Sequence, residues 1–335
     1  MDKQTIAGVD VSARRLDVAA QRGEEQLVRR EFANTAKGHQ RVIRWLTKRG
    51  AHARVVLEAT GVYSHDLALA LAEAPGVEVM VANPRATHAF ATACMQRTRT
   101  DLTMAIILQS YAARMRFVPW VVPPPAARAL QAVGRRMAAL SAEQTREKNR
   151  LHAAQAKAAT PRAIVNDLKA NLRQLTRRLR TLTVEAQRLI ANDPQLARAA
   201  AQLTSIPGVA LTSAIYLLGE LLTLAPDMSV RQWVAHAGLD VRVVQSGTSV
   251  RAAPRMSKMG NAHLRRALYM PALVAIRFQP NVRAFYEELL ARSKAPLQAV
   301  VAVMRKLLHA IYGMLKTDTA FDGAKFRALA AASQP

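Results

Sequence analysis

An α/β N-terminal domain, a long helical hairpin and a mainly α-helical C-terminal domain are what the sequence predicts, on three observations. Residues 4–115 alternate short β-branched runs with amphipathic runs, the pattern of a mixed sheet flanked by helices. After the proline-rich stretch VPWVVPPPAA at 118–127, strand signals vanish until about residue 200. Beyond that point the chain again reads as a series of helices. The boundaries predicted are 1–120, 121–197 and 198–335.

In order, TIAGVDV, RLDVAAQ and QLVRREF read as three strands, because apolar and polar residues alternate or run β-branched. NTAKGHQRVIRWLTKRG reads as an amphipathic helix with Val42, Ile43, Trp45 and Leu46 on its apolar side, ended by Gly50. ARVVLEA is a fourth strand, SHDLALALAEA a helix, and VEVMVANP a fifth strand closed by Pro84; helices follow from about 86 and from 101 to 115. In the middle segment, Leu168, Leu172, Leu175, Leu179, Leu182, Ala186 and Leu189 are spaced alternately by four and three residues, a heptad seam. A weaker seam precedes it, and Pro161 separates the two, so an antiparallel coiled-coil hairpin is expected. Its seam serves either packing within the chain or assembly between chains, with assembly slightly favoured. LTSIPGVALTSAIYLLGELL reads helix, Pro-Gly turn, helix, and further helices are expected at about 261–278, 280–291 and 296–316.

Charge narrows the function. Lys and Arg number 48 against 23 acids in 335 residues, a net charge of +25. Globular chains this basic bind nucleic acid, because cations that neutralise phosphates release condensed counterions. Aromatic residues make up only 5%, so backbone contacts should outnumber base stacking. No apolar run approaches a membrane span, and no leader is expected ahead of MDKQTIAGVDV. The one cysteine, Cys94, excludes an internal disulfide and suits the cytoplasm. The eight histidines show no zinc-ligand spacing.

Three carboxylates are candidate metal ligands. Asp10 lies inside the first strand, where an ionised group is costly unless compensated. Glu58 ends the fourth strand, and strand ends of open sheets are where ligands bind. Asp101 starts a helix after the basic run Arg97-Thr98-Arg99-Thr100. Carboxylates converging at strand ends suit Mg²⁺, a hard ion that takes oxygen ligands. The competing readings are a plain strand residue for Asp10, a turn residue for Glu58 and a helix-start stabiliser for Asp101. Actin-like sugar kinases also open on a strand bearing an Asp, but they need glycines after it, and here Val11, Ser12, Ala13 and Arg14 follow.

Two features of the C-terminal third could meet phosphate. Ile206-Pro207-Gly208-Val209 resembles a helix-hairpin-helix turn whose amides face a DNA phosphate, although Ala210 stands where a second glycine is usual and a plain helical turn is an equal alternative. Between Asp240 and Glu287 lie eight Lys or Arg and no acid. This stretch holds the loop QSGTSVRAAPRMSKMGN, with hydroxyls at Ser246, Thr248, Ser249 and Ser257 beside Arg251, Arg255 and Lys258. A serine becomes a useful nucleophile when a base or metal takes its proton and cations steady the transition state. A solvated basic face is the alternative. Composition does not choose between Ser246 and Ser249.

Over its full length the chain resembles the DEDD transposases of the insertion-sequence one-ten family, bridge-RNA-guided recombinases related to the Piv-type invertases. GVDVSARRLDVA, FANTAKGH, LEATGVY, VANP, RTRTD, SIPGV, AHAGLDVRVVQSGTSVRAAPRMSKMGNAHLRRALYMPA and MRKLLHAIYGMLK carry the resemblance, in colinear order. The resemblance implies a RuvC-like, RNase H-like N-terminal domain, with Mg²⁺ on Asp10, Glu58 and Asp101. It implies that Ser246 attacks DNA and forms a covalent phosphoserine link, with Gly208, Arg251, Arg255, Lys258, Arg265 and Arg266 on nucleic acid. It also implies a site assembled from both halves in a homo-oligomer, dimer to tetramer, and a structured bridge RNA that pairs with donor and target DNA. One position departs: the family carries a second Asp three residues after the first, and here that residue is Met104, a poor Mg²⁺ ligand. Two further readings stay open: a junction-resolvase-type metal nuclease in which water attacks, and a copy that binds nucleic acid with impaired catalysis.

Overall fold

The computed structural model describes residues 4–327 except 60, 97, 99 and 247–249, with the backbone alone at 49, 246 and 250–252. The chain divides into two compact units, Met1–Val122 and Pro123–Pro335.

The N-terminal unit is built on one five-stranded sheet. Strands β1 (Thr5–Val11), β2 (Arg15–Arg22) and β3 (Val28–Ala33) form an antiparallel meander, and β4 (Ala53–Glu58) and β5 (Val77–Ala82) add in parallel beyond β1, giving the order β3-β2-β1-β4-β5. Parallel neighbours need a crossover, and helix α1 (Ala36–Leu46) and helix α2 (His65–Ala72) supply them. Thr35 caps α1 by accepting from the amide of Gly38, and α1 buries Val42 and Leu46 as its apolar side predicts.

Alternation along the strands decides which helices cover which face. Ala7 and Val9 of β1, with Val55 and Leu57 of β4, enter a core with Val42 and Leu46 of α1 and Leu67 and Leu71 of α2. The residues between them face the other way. There Val56 packs with Leu108, Tyr111 and Ala112 of α4 (Asp101–Arg114), joined by Phe90 of α3 (Pro84–Ala93). Gly8 makes this layer possible. A Cβ at Gly8 would stand 2.2 Å from the Gln109 amide nitrogen and 2.3 Å from the Ala105 carbonyl oxygen, so only glycine lets α4 lie directly on β1.

The C-terminal unit opens with α5 (Pro125–Gln155) and α6 (Arg162–Ala191), an antiparallel pair. The heptad seam turns inward on α5: Leu168, Leu175 and Ala186 are buried, with Leu172, Leu179, Leu182 and Leu189 half-buried. Polar residues register the pair, Asn171 donating to Glu147 at 2.9 Å and Gln144 to Thr176 at 2.9 Å. The seam is thus used within the chain, whereas the spacing alone slightly favours assembly between chains. The hairpin's base shares one core with the helices beyond it. Leu130, Met137, Ala186 and Ile190 pack with residues of α7 (Pro194–Thr204), α8 (Leu211–Leu221), α9 (Val230–Ala237), α10 (Ala262–Phe278) and α12 (Pro296–Thr317). Helices α11 (Pro280–Ala291) and α13 (Gly323–Phe326) complete the unit.

One element differs from the sequence expectation. The serine stretch, read as a loop between helices, forms two strands, β6 (Val241–Ser246) and β7 (Val250–Met256), paired antiparallel with a bulge between Arg242 and Val244. The reason is local: Val241, Val243, Val244 and Val250 are β-branched, and the register sets Val241 opposite Met256, Val244 opposite Ala252 and Val250 opposite Ser246. Among the described residues no helix is long and apolar enough to cross a membrane.

Candidate active site

The same alternation that places Gly8 against α4 places Asp10 on that face, and Glu58 follows Val56 on it. Helix α4 then brings its first residue, Asp101, to the same place. Thr100 caps this helix in a reciprocal box with Thr103, which fixes where Asp101 enters. The three carboxylates line one cleft of about 420 Å³ together with Pro84, His88, Ala91, Thr100 and Met104. It opens where the parallel strands β1 and β4 end, the usual ligand position of an open α/β sheet.

Negative charge gathers in the cleft. The Asp10 carboxyl is pushed up to about 6, first by burial and then by the charges of Asp101, Asp17 and Glu58. Asp17 lies opposite Asp10 in the β1–β2 register and is itself raised, chiefly by burial, against the pull of Arg15. Three side chains missed by the sequence reading support the site. The buried Thr87 hydroxyl stands 3.0 Å from Glu58 Oε2. His88 lines the wall. Arg15 donates from Nε to Asp17 (2.9 Å) and from Nη2 to Asp101 (2.7 Å). Asp101 and Glu58, whose charges raise the Asp10 carboxyl, form with it an all-oxygen set that a divalent cation would relieve, so the donor set fits a hard ion. As they stand, no group of three or more His, Cys, Asp or Glu side chains among the described residues is arranged to hold a metal ion. Met104, one turn along α4, adds no oxygen ligand.

The serine hairpin is anchored at its base. At the base, Ser257 donates its hydroxyl to Asp240 and its amide to the Asp240 carbonyl. Asn261 caps α10, accepting from the amides of His263 and Leu264, and donates to Glu220 at 2.6 Å. Glu220 is buried on α8, and Arg135 of α5 grips both its oxygens at 2.7 and 2.9 Å. Burial alone would raise the Glu220 carboxyl, but the Arg135 and Asn261 hydrogen bonds outweigh it and hold it below the usual range. Ser246 ends β6, its backbone opposite Val250. Its side chain, that of Arg251, and residues Gly247, Thr248 and Ser249 lie outside the described residues, as do Arg97 and Arg99.

The remaining expected contacts separate. Arg255 and Lys258 are exposed and line a groove of about 800 Å³ with Lys294 and Arg305, two cations the sequence reading did not single out because they lie 36 or more residues further on. Arg266 is exposed on α10, beside His263 and Glu220 in a separate pocket. Arg265 is engaged in the fold, donating to the Ala237 carbonyl at 2.9 Å. Gly208 adopts φ +100°, and a Cβ there would stand 2.9 Å from the Pro271 carbonyl, so the turn needs glycine to seat against α10.

Comparison with known proteins places the chain in a family. Residues 7–160 match a DEDD-type family described as "Transposase", and residues 200–287 match the "Transposase IS116/IS110/IS902 family". The chain belongs to the IS110 family of transposases. It is 27% identical over 295 residues to the pilin gene-inverting protein of Moraxella bovis, covering 87% of this chain and 89% of that one. The corresponding protein of Moraxella lacunata matches to the same extent. An uncharacterized insertion element IS110 protein of Streptomyces coelicolor is 27% identical over 161 residues, 48% of this chain and 38% of that one. The two family matches fall on the acidic cleft and on the serine hairpin respectively, and membership of a transposase family implies a DNA substrate and recombinase chemistry.

Proposed function

We propose that this transposase recombines DNA through a covalent serine intermediate, with Ser246 as nucleophile and a divalent ion, Mg²⁺, held by Asp10, Glu58 and Asp101. The observation that carries the reading is the gathering of those three carboxylates in one cleft whose charges oppose one another. The strand order, an antiparallel meander followed by two parallel strands, supports an RNase H-like, RuvC-like fold for the unit. When bound, the ion supplies Lewis-acid stabilisation of charge on a phosphate oxygen.

The chain's own groups do the rest. Asp10, ionised above about pH 6, is a carboxylate that can take a proton or hold a cation. Ser246 Oγ forms a bond to phosphorus as one nucleoside oxygen leaves with a proton. The backbone break is stored as a serine phosphodiester, and the reversed step joins a new strand end. Arg251, Arg255 and Lys258 neutralise phosphate charge around the hairpin. Gly208 and Arg266 extend the contact to the DNA backbone. The excess of cations and scarcity of aromatics support readout of duplex shape and backbone, with sequence supplied by a structured bridge RNA. A homo-oligomer, dimer to tetramer, supplies the paired strand cuts that recombination needs. Action in the cytoplasm follows from the DNA substrate.

The test is trapping. Purified protein incubated with a substrate DNA, its co-purified RNA and Mg²⁺ should yield a protein–DNA adduct that survives denaturation and maps to Ser246. Ser246→Ala should give no adduct. Cleavage by Ser246→Ala at the unaltered rate, with no adduct from either protein, would replace this reading with a metal nuclease in which water attacks.

A further inference from the structure

One carboxylate of the acidic cleft, Asp101, already holds a cation. Arg15 begins β2, and its backbone is fixed by a tight turn: the Ser12 amide donates to the Arg15 carbonyl at 2.9 Å, and the Arg15 amide donates to Ser12 Oγ at 3.1 Å. From that fixed start the guanidinium reaches three acids. Nε bonds Asp17 at 2.9 Å, Nη2 bonds Asp101 at 2.7 Å, and Nη1 lies 3.8 Å from Glu31. Two of those acids, Asp101 and Asp17, are among the charges that hold the Asp10 carboxyl up.

The two contacts differ in permanence. Asp17 is buried, its side chain only 9% exposed, so its ionised form depends on the Arg15 partner. Asp101 is 52% exposed and can exchange one partner for another at small cost. A guanidinium does not give up its proton, so its charge leaves Asp101 only by movement. Met104, one turn along the same helix, carries no charge. Asp101 is thus at once a candidate metal ligand and already neutralised.

We propose that Arg15 is the resident counter-cation of the cleft, which a divalent ion must displace from Asp101 in order to load. The inference rests on the proposal that Asp10, Glu58 and Asp101 hold a metal. Loading pivots the guanidinium about its Asp17 contact; it does not expel it. Arg15 therefore sets how much free divalent ion this transposase needs. The pair it breaks is solvent-exposed, so the effect on affinity is about two- to fivefold rather than orders of magnitude.

The experiment is Mn²⁺ titration of the full-length protein, following the sharp electron paramagnetic resonance signal of the free ion. Binding lost in Asp10→Asn defines the cleft. Arg15→Ala should tighten that component about two- to fivefold. Arg15→Gln keeps a donor for Asp17 without the charge and should act alike, which guards against a folding defect in the alanine variant. Arg15→Lys should return the affinity to within about twofold of the natural chain. Arg14→Ala, an exposed neighbour of equal charge, should leave it unchanged. Unchanged or weaker binding in Arg15→Ala and Arg15→Gln would overturn the proposal while leaving the metal reading intact. Absence of Asp10-dependent binding in both the natural chain and the Arg15 variants would sink the metal reading itself.

Discussion

Replacing Asp10 by Asn should make the N-terminal unit more stable at neutral pH. The native carboxyl is raised from 3.8 to about 6. A group whose folded pKa lies above its unfolded one contributes fully below the unfolded value, here near pH 4, and loses that contribution as pH rises through about 6. At pH 7 the ionised Asp10 is therefore a standing cost. At ~1.4 kcal/mol per pH unit the shift corresponds to about 3 kcal/mol. The cleft is open to solvent, and screening reduces this to about 1–2 kcal/mol. Asn keeps the size and removes the charge. Hydrogen exchange measured by mass spectrometry on peptides covering β1 reads the change locally, which matters in a chain of two units. Exchange of the Thr5–Val11 amides should slow by about 5- to 30-fold at pH 7 in Asp10→Asn and by nothing at pH 4. Added Mn²⁺ should protect the natural chain and not the variant. Equal or faster exchange in Asp10→Asn at pH 7 would refute the claim that these carboxylates repel one another.

Gly8→Ala should displace α4 from β1 at a cost above about 3 kcal/mol, seen as loss of protection in α4 as well as β1. Met104→Asp should tighten Mn²⁺ binding in the same titration, by adding an oxygen ligand one turn from Asp101; unchanged affinity would show that residue 104 lies outside the ligand set. Glu220→Ala should cost about 2–4 kcal/mol in the C-terminal unit, since it strands Arg135 and frees the Asn261 amide; urea unfolding followed by Trp233 fluorescence checks it. Because the Glu220 pKa is depressed, that contribution is present above about pH 4.5 and is lost as pH falls further. Replacing Lys294 and Arg305 together by Gln should lower the slope of log affinity against log salt for DNA by about one to two, and an unaltered slope would remove their groove from the nucleic-acid surface.

The N-terminal unit was legible in the sequence because its signals are local. Strand alternation around Asp10, the Thr35 cap of α1 and the Asp101 helix start each declare themselves within a few residues. Asp10, Glu58 and Asp101 could be singled out, since a carboxylate in or at the end of an apolar strand is costly without a reason. Arg15 and Thr87 could not, because what matters about them is a partner 86 and 29 residues away in the chain. The hairpin β6–β7 reads as a loop in sequence: its glycine, hydroxyl and basic residues outweigh Val241, Val244 and Val250, whose strand partners become visible only in register. Arg265 looked like one more surface cation, and nothing in its neighbours announced the Ala237 carbonyl that it holds. The Glu220 network joins three helices, and no single stretch contains it.

Helices α5 and α6 run for 31 and 30 residues, but only their base enters the shared core. Beyond it the pair is held by its own seam and by the Glu147–Asn171 and Gln144–Thr176 contacts. The arm is therefore a ruler whose length can be reset independently of the rest. Inserting one heptad into each helix beyond those contacts would extend it by ~10.5 Å while preserving which side chains meet. Whatever the far end of the arm touches, the distance at which it does so is encoded by residue count alone.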